Sequence, residues 1–109
     1  MRRRVEDLHG LDALTAVRFA TMRVREAYEN GYDEIELVHG AGDVPRPAGD
    51  GRGRIKWELR ELLNGGGLDR WCRREDCWPR ASSLVVALRR NPRPRREAWS
   101  ARPAGRRAG

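Results

Sequence analysis

Apolar positions recur along the chain with a period of two, then near 3.6, then two again, and this rhythm sets out most of its elements. After Arg2, Arg3 and Arg4, the run Val5-Glu6-Asp7-Leu8-His9-Gly10 places Val5, Asp7 and His9 on one face of an extended segment and Glu6 and Leu8 on the other. It reads as an edge strand ending at Gly10. Asp12 is then a helix N-cap. Leu14, Val17, Val24 and Tyr28, with Ala13, Ala16, Ala20 and Ala27 beside them, form the inward stripe of an amphipathic helix of about five turns. Asn30-Gly31 supplies the left-handed residue that ends it, and Ile35-Glu36-Leu37-Val38-His39-Gly40 follows as an apolar strand.

The glycines and prolines of residues 41–53 predict a loop. Ile55, Leu59, Leu62 and Leu63 mark a second, shorter helix, stopped at Asn64-Gly65-Gly66-Gly67. A short strand is expected around Trp71-Cys72, and residues 83–88 have the β-branched content of a buried one. The resulting order, β-α-β-α-β-β, predicts an α/β two-layer sandwich on a mixed sheet whose first two strands are parallel. Ligands of such sheets gather beyond the carboxyl ends of parallel strands. Both His-Gly pairs fall there.

Charge divides the chain in two. Residues 89–109 hold eight arginines and one glutamate, which accounts for the whole formal net charge of +7 and leaves residues 1–88 balanced. The expected organisation is therefore a domain over 1–88 and a basic, disordered tail over 89–109. Such a tail suits a polyanion, nucleic acid first, because each neutralised phosphate releases condensed counterions. It also suits a merely solubilising end in an arginine-rich chain with Lys56 as its single lysine. No stretch approaches the roughly 18 consecutive apolar residues of a membrane span, and no signal peptide is evident, so a cytoplasmic protein without a membrane partner is expected. Cys72 and Cys77 are too few for a disulfide framework and are expected as reduced thiols.

His9 and His39 are the only histidines, and each closes a predicted strand before a glycine. On neighbouring parallel strands their imidazoles would lie close together, beside glycines that let backbone N–H groups approach a phosphate. Two such imidazoles form an acid–base pair that needs neither metal nor cofactor, one accepting a proton from the nucleophile and the other protonating the leaving oxygen. Asp7, on the same face as His9, would orient that ring or, alternatively, cap the turn at Gly10. Gly51-Arg52-Gly53-Arg54 precedes the second helix, whose N-terminus and adjacent cations suit phosphate. Lys56 and Arg60 extend this rim or are an ordinary solvated face; Trp57 and Trp71 are read as core or rim packing, and none of the four tryptophans is assigned a base contact.

Asp7-Leu8-His9-Gly10, His39-Gly40-Ala41-Gly42 and Gly51-Arg52-Gly53-Arg54-Ile55-Lys56 resemble, in order and spacing, the three signatures of the Smr (small MutS-related) domain family: Leu-Asp-Leu-His-Gly, His-Gly-Lys-Gly and Gly-x-Gly-x-Leu-Arg. The resemblance spans residues 5–88. It implies a sandwich like the C-terminal domain of a bacterial translation initiation factor and endonuclease activity on DNA or RNA. Since some members act on messenger RNA at stalled ribosomes, the ribosome joins nucleic acid as an implied partner. Asp7, His9 and His39 take the catalytic positions. Gly10, Gly40, Gly42, Gly51, Arg52, Gly53, Arg54 and Lys56 take the phosphate side. Three departures stand out: Glu6 for leucine, suiting an exposed edge; Ala41 for lysine; and Lys56 for arginine, which keeps the charge and loses the bidentate fork. A non-catalytic binding module is the alternative function.

Overall fold

A computed structural model describes residues 1–40, 53–96 and 98–104. Asp12 starts the first helix, α1 (Ala13–Glu29), in extended conformation, its carboxylate accepting the backbone N–H of Thr15 at 2.9 Å. The helix stops as Asn30-Gly31 predicts. Gly31 is left-handed (φ 78°) and donates to Tyr28 O, while Tyr32 N–H reaches back to Ala27 O, so two end carbonyls are satisfied in the Schellman pattern. Ala16, Phe19, Ala20, Val24 and Ala27 form the buried stripe. Leu14, expected inside, is 61% exposed, because Phe19 turns the buried face away from it.

Strands β1 (Arg3–Asp7) and β2 (Glu34–Val38) pair in parallel, Arg3 opposite Glu34 and Asp7 opposite Val38, as the strand–helix–strand opening predicts. β4 (Ser83–Ala87) runs antiparallel to β2 and is buried at all five positions. β3 (Trp78–Pro79) pairs with β4, completing a mixed sheet in the order β1-β2-β4-β3. The short strand expected at Trp71-Cys72 is only an isolated bridge from Cys72 to Leu88. The 3₁₀ turn Arg74–Asp76 interrupts the chain there, and the N–H of Ala87 goes to Cys77 Sγ instead of to a ladder carbonyl. Pro79, with no N–H to give, keeps β3 short.

α1 and α2 (Arg54–Asn64) cover one face of the sheet in a two-layer α/β arrangement. Leu8, Ile35, Leu37, Leu84 and Val86 meet Phe19, Val24, Leu59 and Leu68 between the layers. The other face carries charge rather than a second layer: Arg3 pairs with Glu34, and Glu36 receives Arg80 Nη1 at 3.2 Å and Ser83 Oγ at 2.6 Å. Among the described residues, no helix is long and apolar enough to cross a membrane.

Two expectations require correction. Glu6 does not sit at an exposed edge. It points to the helix layer, is 8% exposed, and pairs with Arg4 Nε (2.9 Å) and with the buried Arg23 (3.0 Å), which also donates to Glu26. Nor does the described part of residues 89–109 stand apart from the domain as a disordered tail. Asn91 Nδ2 donates to Tyr28 O at the end of α1, Arg95 N–H donates to Glu29 O, and the Trp99 ring meets Tyr32 edge-on at 5.7 Å. Ser100 then gives its N–H and its hydroxyl to the two carboxylate oxygens of Glu26, at 2.8 and 3.0 Å. This segment is a strap across α1.

Candidate functional site

The parallel register brings the carboxyl ends of β1 and β2 together, with Leu8 N–H donating to Val38 O at 2.8 Å just beyond the last paired residues. Gly10 (φ 86°) and Gly40 (φ 71°) turn the chain away at the two ends. A side chain built at either would meet none of the described residues within 4 Å, so among these residues glycine is needed there for the left-handed backbone, not for want of room.

Parity separates the two imidazoles. Because Asp7 faces Val38, the next step of the register sets Leu8, not His9, beside His39. His39 continues the Ile35, Leu37 series into the helix layer and is 6% exposed, whereas Asp7 and His9 are exposed. The two rings therefore do not share one face of the sheet, contrary to the expectation. Asp7 Oδ1 accepts the backbone N–H of His9 at 2.9 Å, which is the turn-capping role.

His39 Nδ1 lies 2.5 Å from Gly40 O. A carbonyl only accepts, so Nδ1 carries the proton and the lone pair is on Nε2, which is buried and has no hydrogen-bond partner among the described residues. Burial lowers the pKa of this imidazole below 6.5, and the nearby charges of Lys56 and Arg60 lower it further against the opposing pull of the Gly40 carbonyl. Lys56 is itself 5% exposed, and the Arg60 guanidinium lies 4.9 Å from the Trp57 ring centroid. Trp57 Nε1 and Arg60 Nε are, like His39 Nε2, buried without hydrogen-bond partners among the described residues.

Lys56 was legible as a motif position. Arg60 is legible only as an extension of the phosphate-side rim or a solvated face, and Trp57 only as a packing residue. The only signal was the one-turn spacing of Lys56 and Arg60, which any solvated helix face shares. Of the remaining phosphate-side residues, Gly53 is left-handed (φ 78°) and precedes α2, and Arg54 is exposed, 3.7 Å from Glu58. Gly42, Gly51 and Arg52 lie outside the described residues. Among those described, no group of three or more His, Cys, Asp or Glu side chains is gathered as a metal would need.

The lowered pKa of His39 has a measurable effect on stability. In the unfolded chain the imidazole takes up a proton below about pH 6.5, and in the fold it does so only at lower pH. His39 therefore contributes stability above pH 6.5 that is lost as the pH falls through its folded pKa. Urea unfolding from pH 7.5 down to 5 is expected to show a loss with slope at most about 1.4 kcal/mol per pH unit from this group. The loss should diminish in His39→Gln, and equal slopes in the two proteins would contradict the assignment.

Comparison with known proteins returned no matching family model, no matching curated protein and no matching solved structure.

Proposed function

We propose that this chain is a nucleic-acid-binding endonuclease of the Smr kind, holding a phosphodiester at the carboxyl ends of β1 and β2 and cleaving it with imidazole acid–base chemistry. The observation that carries the reading is the pair of adjacent parallel strand ends, each followed by His-Gly, with Lys56 and Arg60 beside one of them. The ordered set of three motifs supports the finer fold assignment, a sandwich like an initiation factor's C-terminal domain.

In this reading Lys56 and Arg60 hold phosphate oxygens. His39, neutral and buried beside them, supports the phosphate side through its contact with the Gly40 turn. His9, exposed at the end of β1 with its backbone fixed by Asp7, exchanges the proton with the reacting group. On RNA the attacking hydroxyl is the substrate's own 2′-OH: it gives its proton to His9, its oxygen bonds to phosphorus, the bond to the 5′ oxygen breaks, and that oxygen leaves with the proton returned by the His9 imidazolium. The products are a cyclic phosphate and a 5′-hydroxyl. Gly42, Gly51 and Arg52 belong to the phosphate side by motif alone, and recruitment by a ribosome is part of the same proposal.

One observation favours a second reading, a binding module without cleavage: His39 and Asp7 lie on opposite faces, so a two-imidazole pair is not assembled by the strands themselves. The discriminating experiment is incubation of the purified protein in EDTA with labelled single-stranded RNA and, separately, duplex DNA, alongside His9→Ala. Cleavage of one substrate is expected, reduced at least about 100-fold in the variant with affinity retained. Binding of both substrates with cleavage of neither would leave the binding module.

A further inference from the structure

The strap that crosses α1 does not end there. Beyond Ser100 it returns to the end of β1, where Arg102 Nη1 donates to the carbonyl of Asp7 and Nη2 to the carbonyl of His9 at 2.8 Å. The guanidinium carbon lies 5.9 Å from the Phe19 ring centroid. β1 is the edge of the sheet, and along a strand the N–H and C=O of alternate residues point to opposite sides. Leu8 N–H and Arg2 O serve β2, so Asp7 presents its carbonyl to the free edge, where Arg102 meets it.

We infer that Arg102 is a phosphate-binding residue of the His9 end, delivered there by the strap. A guanidinium has five N–H donors in one plane, and the two carbonyls occupy two of them. The remaining donors are held in a fixed orientation next to His9, and no described residue lies within 4 Å of a Cβ built at Gly10. A planar, permanently charged donor set fixed by its own hydrogen bonds matches a phosphate, and pre-ordering the side chain removes most of the entropy that binding would otherwise cost. The strap is itself locked upstream by the two Ser100–Glu26 hydrogen bonds and by Arg4 lying 4.1 Å over the Trp99 ring. The arginine-rich segment thus supplies one placed guanidinium, in addition to diffuse charge.

This inference rests on the reading that the His9 end takes a phosphate, and its test does not require cleavage. Inorganic phosphate is titrated into the full chain in chloride buffer while the imidazole signals of His9 and His39 are followed by NMR, and the titration is repeated with a short single-stranded RNA. The proteins are wild type, Arg102→Gln, Arg102→Lys and, as a charge-matched control at the opposite end of the sheet, Arg70→Gln. Saturable shifts at His9 are expected in wild type and Arg70→Gln, with apparent affinity about tenfold weaker in Arg102→Gln and intermediate in Arg102→Lys. A response to RNA as well as to free phosphate identifies the phosphodiester as the source. Equal affinity in Arg102→Gln and wild type, with backbone spectra of β2 and β4 superimposable, would overturn the inference, as would a wild type whose His9 ignores both ligands. Phosphate-dependent shifts without RNA cleavage would remove the nuclease reading and keep Arg102, whereas cleavage undiminished in Arg102→Gln would do the reverse.

Discussion

Arg23→Ala is expected to lower the unfolding free energy by about 3–5 kcal/mol, the range for removing one partner from a buried ion pair. Arg23 is 5% exposed on the inner face of α1. Its Nη1 donates to Glu26 Oε1 at 3.0 Å, and its Nε lies 3.0 Å from Glu6 Oε1, close enough for an ion pair although out of line for a hydrogen bond. The guanidinium also stacks 4.6 Å from the Phe19 ring centroid and 5.3 Å from that of Trp99. Truncation leaves two carboxylates with 8% and 6% exposure facing a cavity, Glu6 keeping Arg4 and Glu26 keeping Ser100 as their side-chain partners among the described residues. Against a usual total of about 5–15 kcal/mol, that loss is large enough to unfold much of the population near 37 °C. Urea unfolding measures it directly. Desolvation opposes the pairing energy of such networks, so the combined replacement Glu6→Leu, Arg23→Met and Glu26→Gln is expected to restore stability to within about 1 kcal/mol of wild type or exceed it. A cost below about 1 kcal/mol for Arg23→Ala would mean that the carboxylates reach water and the network is superficial.

That network also marks where reading the chain by pattern stops working. The start and stop of α1, the β2 strand and the parallel pairing depend on residues close in sequence: Asp12 with Thr15, Asn30-Gly31 with Ala27 and Tyr28. These are legible without the fold. Glu6 is not, because the residue that makes its burial tolerable, Arg23, lies on α1, and Arg23's other carboxylate partner, Glu26, is held in turn by a serine far along the chain. A carboxylate in a strand otherwise means an exposed edge. The strap misleads for a related reason. Its average composition argues for disorder, yet Asn91, Trp99 and Ser100 each find a partner at the end or side of α1. At the site, the motifs locate the two strand ends correctly but carry no register. Whether His9 or Leu8 stands beside His39 is decided by which residue of β2 faces Asp7, and only the paired strands contain that information. The buried atoms of Trp57 and Arg60, without a partner among the described residues, likewise exist only once α2 lies against α1 and β4.

A chain ending at Leu88 is expected to be roughly 3–5 kcal/mol less stable than one ending at Ala104, although a disordered tail would predict no difference. Hydrogen bonds to a charged acceptor contribute about 1.5–3 kcal/mol each, and Ser100 makes two to Glu26, a carboxylate that is 6% exposed. The carboxylate already has Arg23, so the two are not additive and the lower end of that range applies to their sum. Loss of Trp99 removes an edge-on ring pair with Tyr32 and the cover over Arg4 and Arg23. An aromatic pair of this kind is worth about 0.5–1.5 kcal/mol beyond its buried area. Asn91 adds a cap on the last carbonyls of α1. The two chains also separate the structural role of the strap from its electrostatic one. A set of variants replacing Arg90, Arg93 and Arg96 by glutamine removes exposed charge without touching Asn91, Trp99 or Ser100. It is expected to leave the urea midpoint nearly unchanged while lowering the salt slope of nucleic-acid binding. If the Leu88 chain instead unfolds at the same urea concentration as the Ala104 chain, the strap contacts contribute nothing to stability, and the placement of Arg102 at His9 loses its mechanical basis.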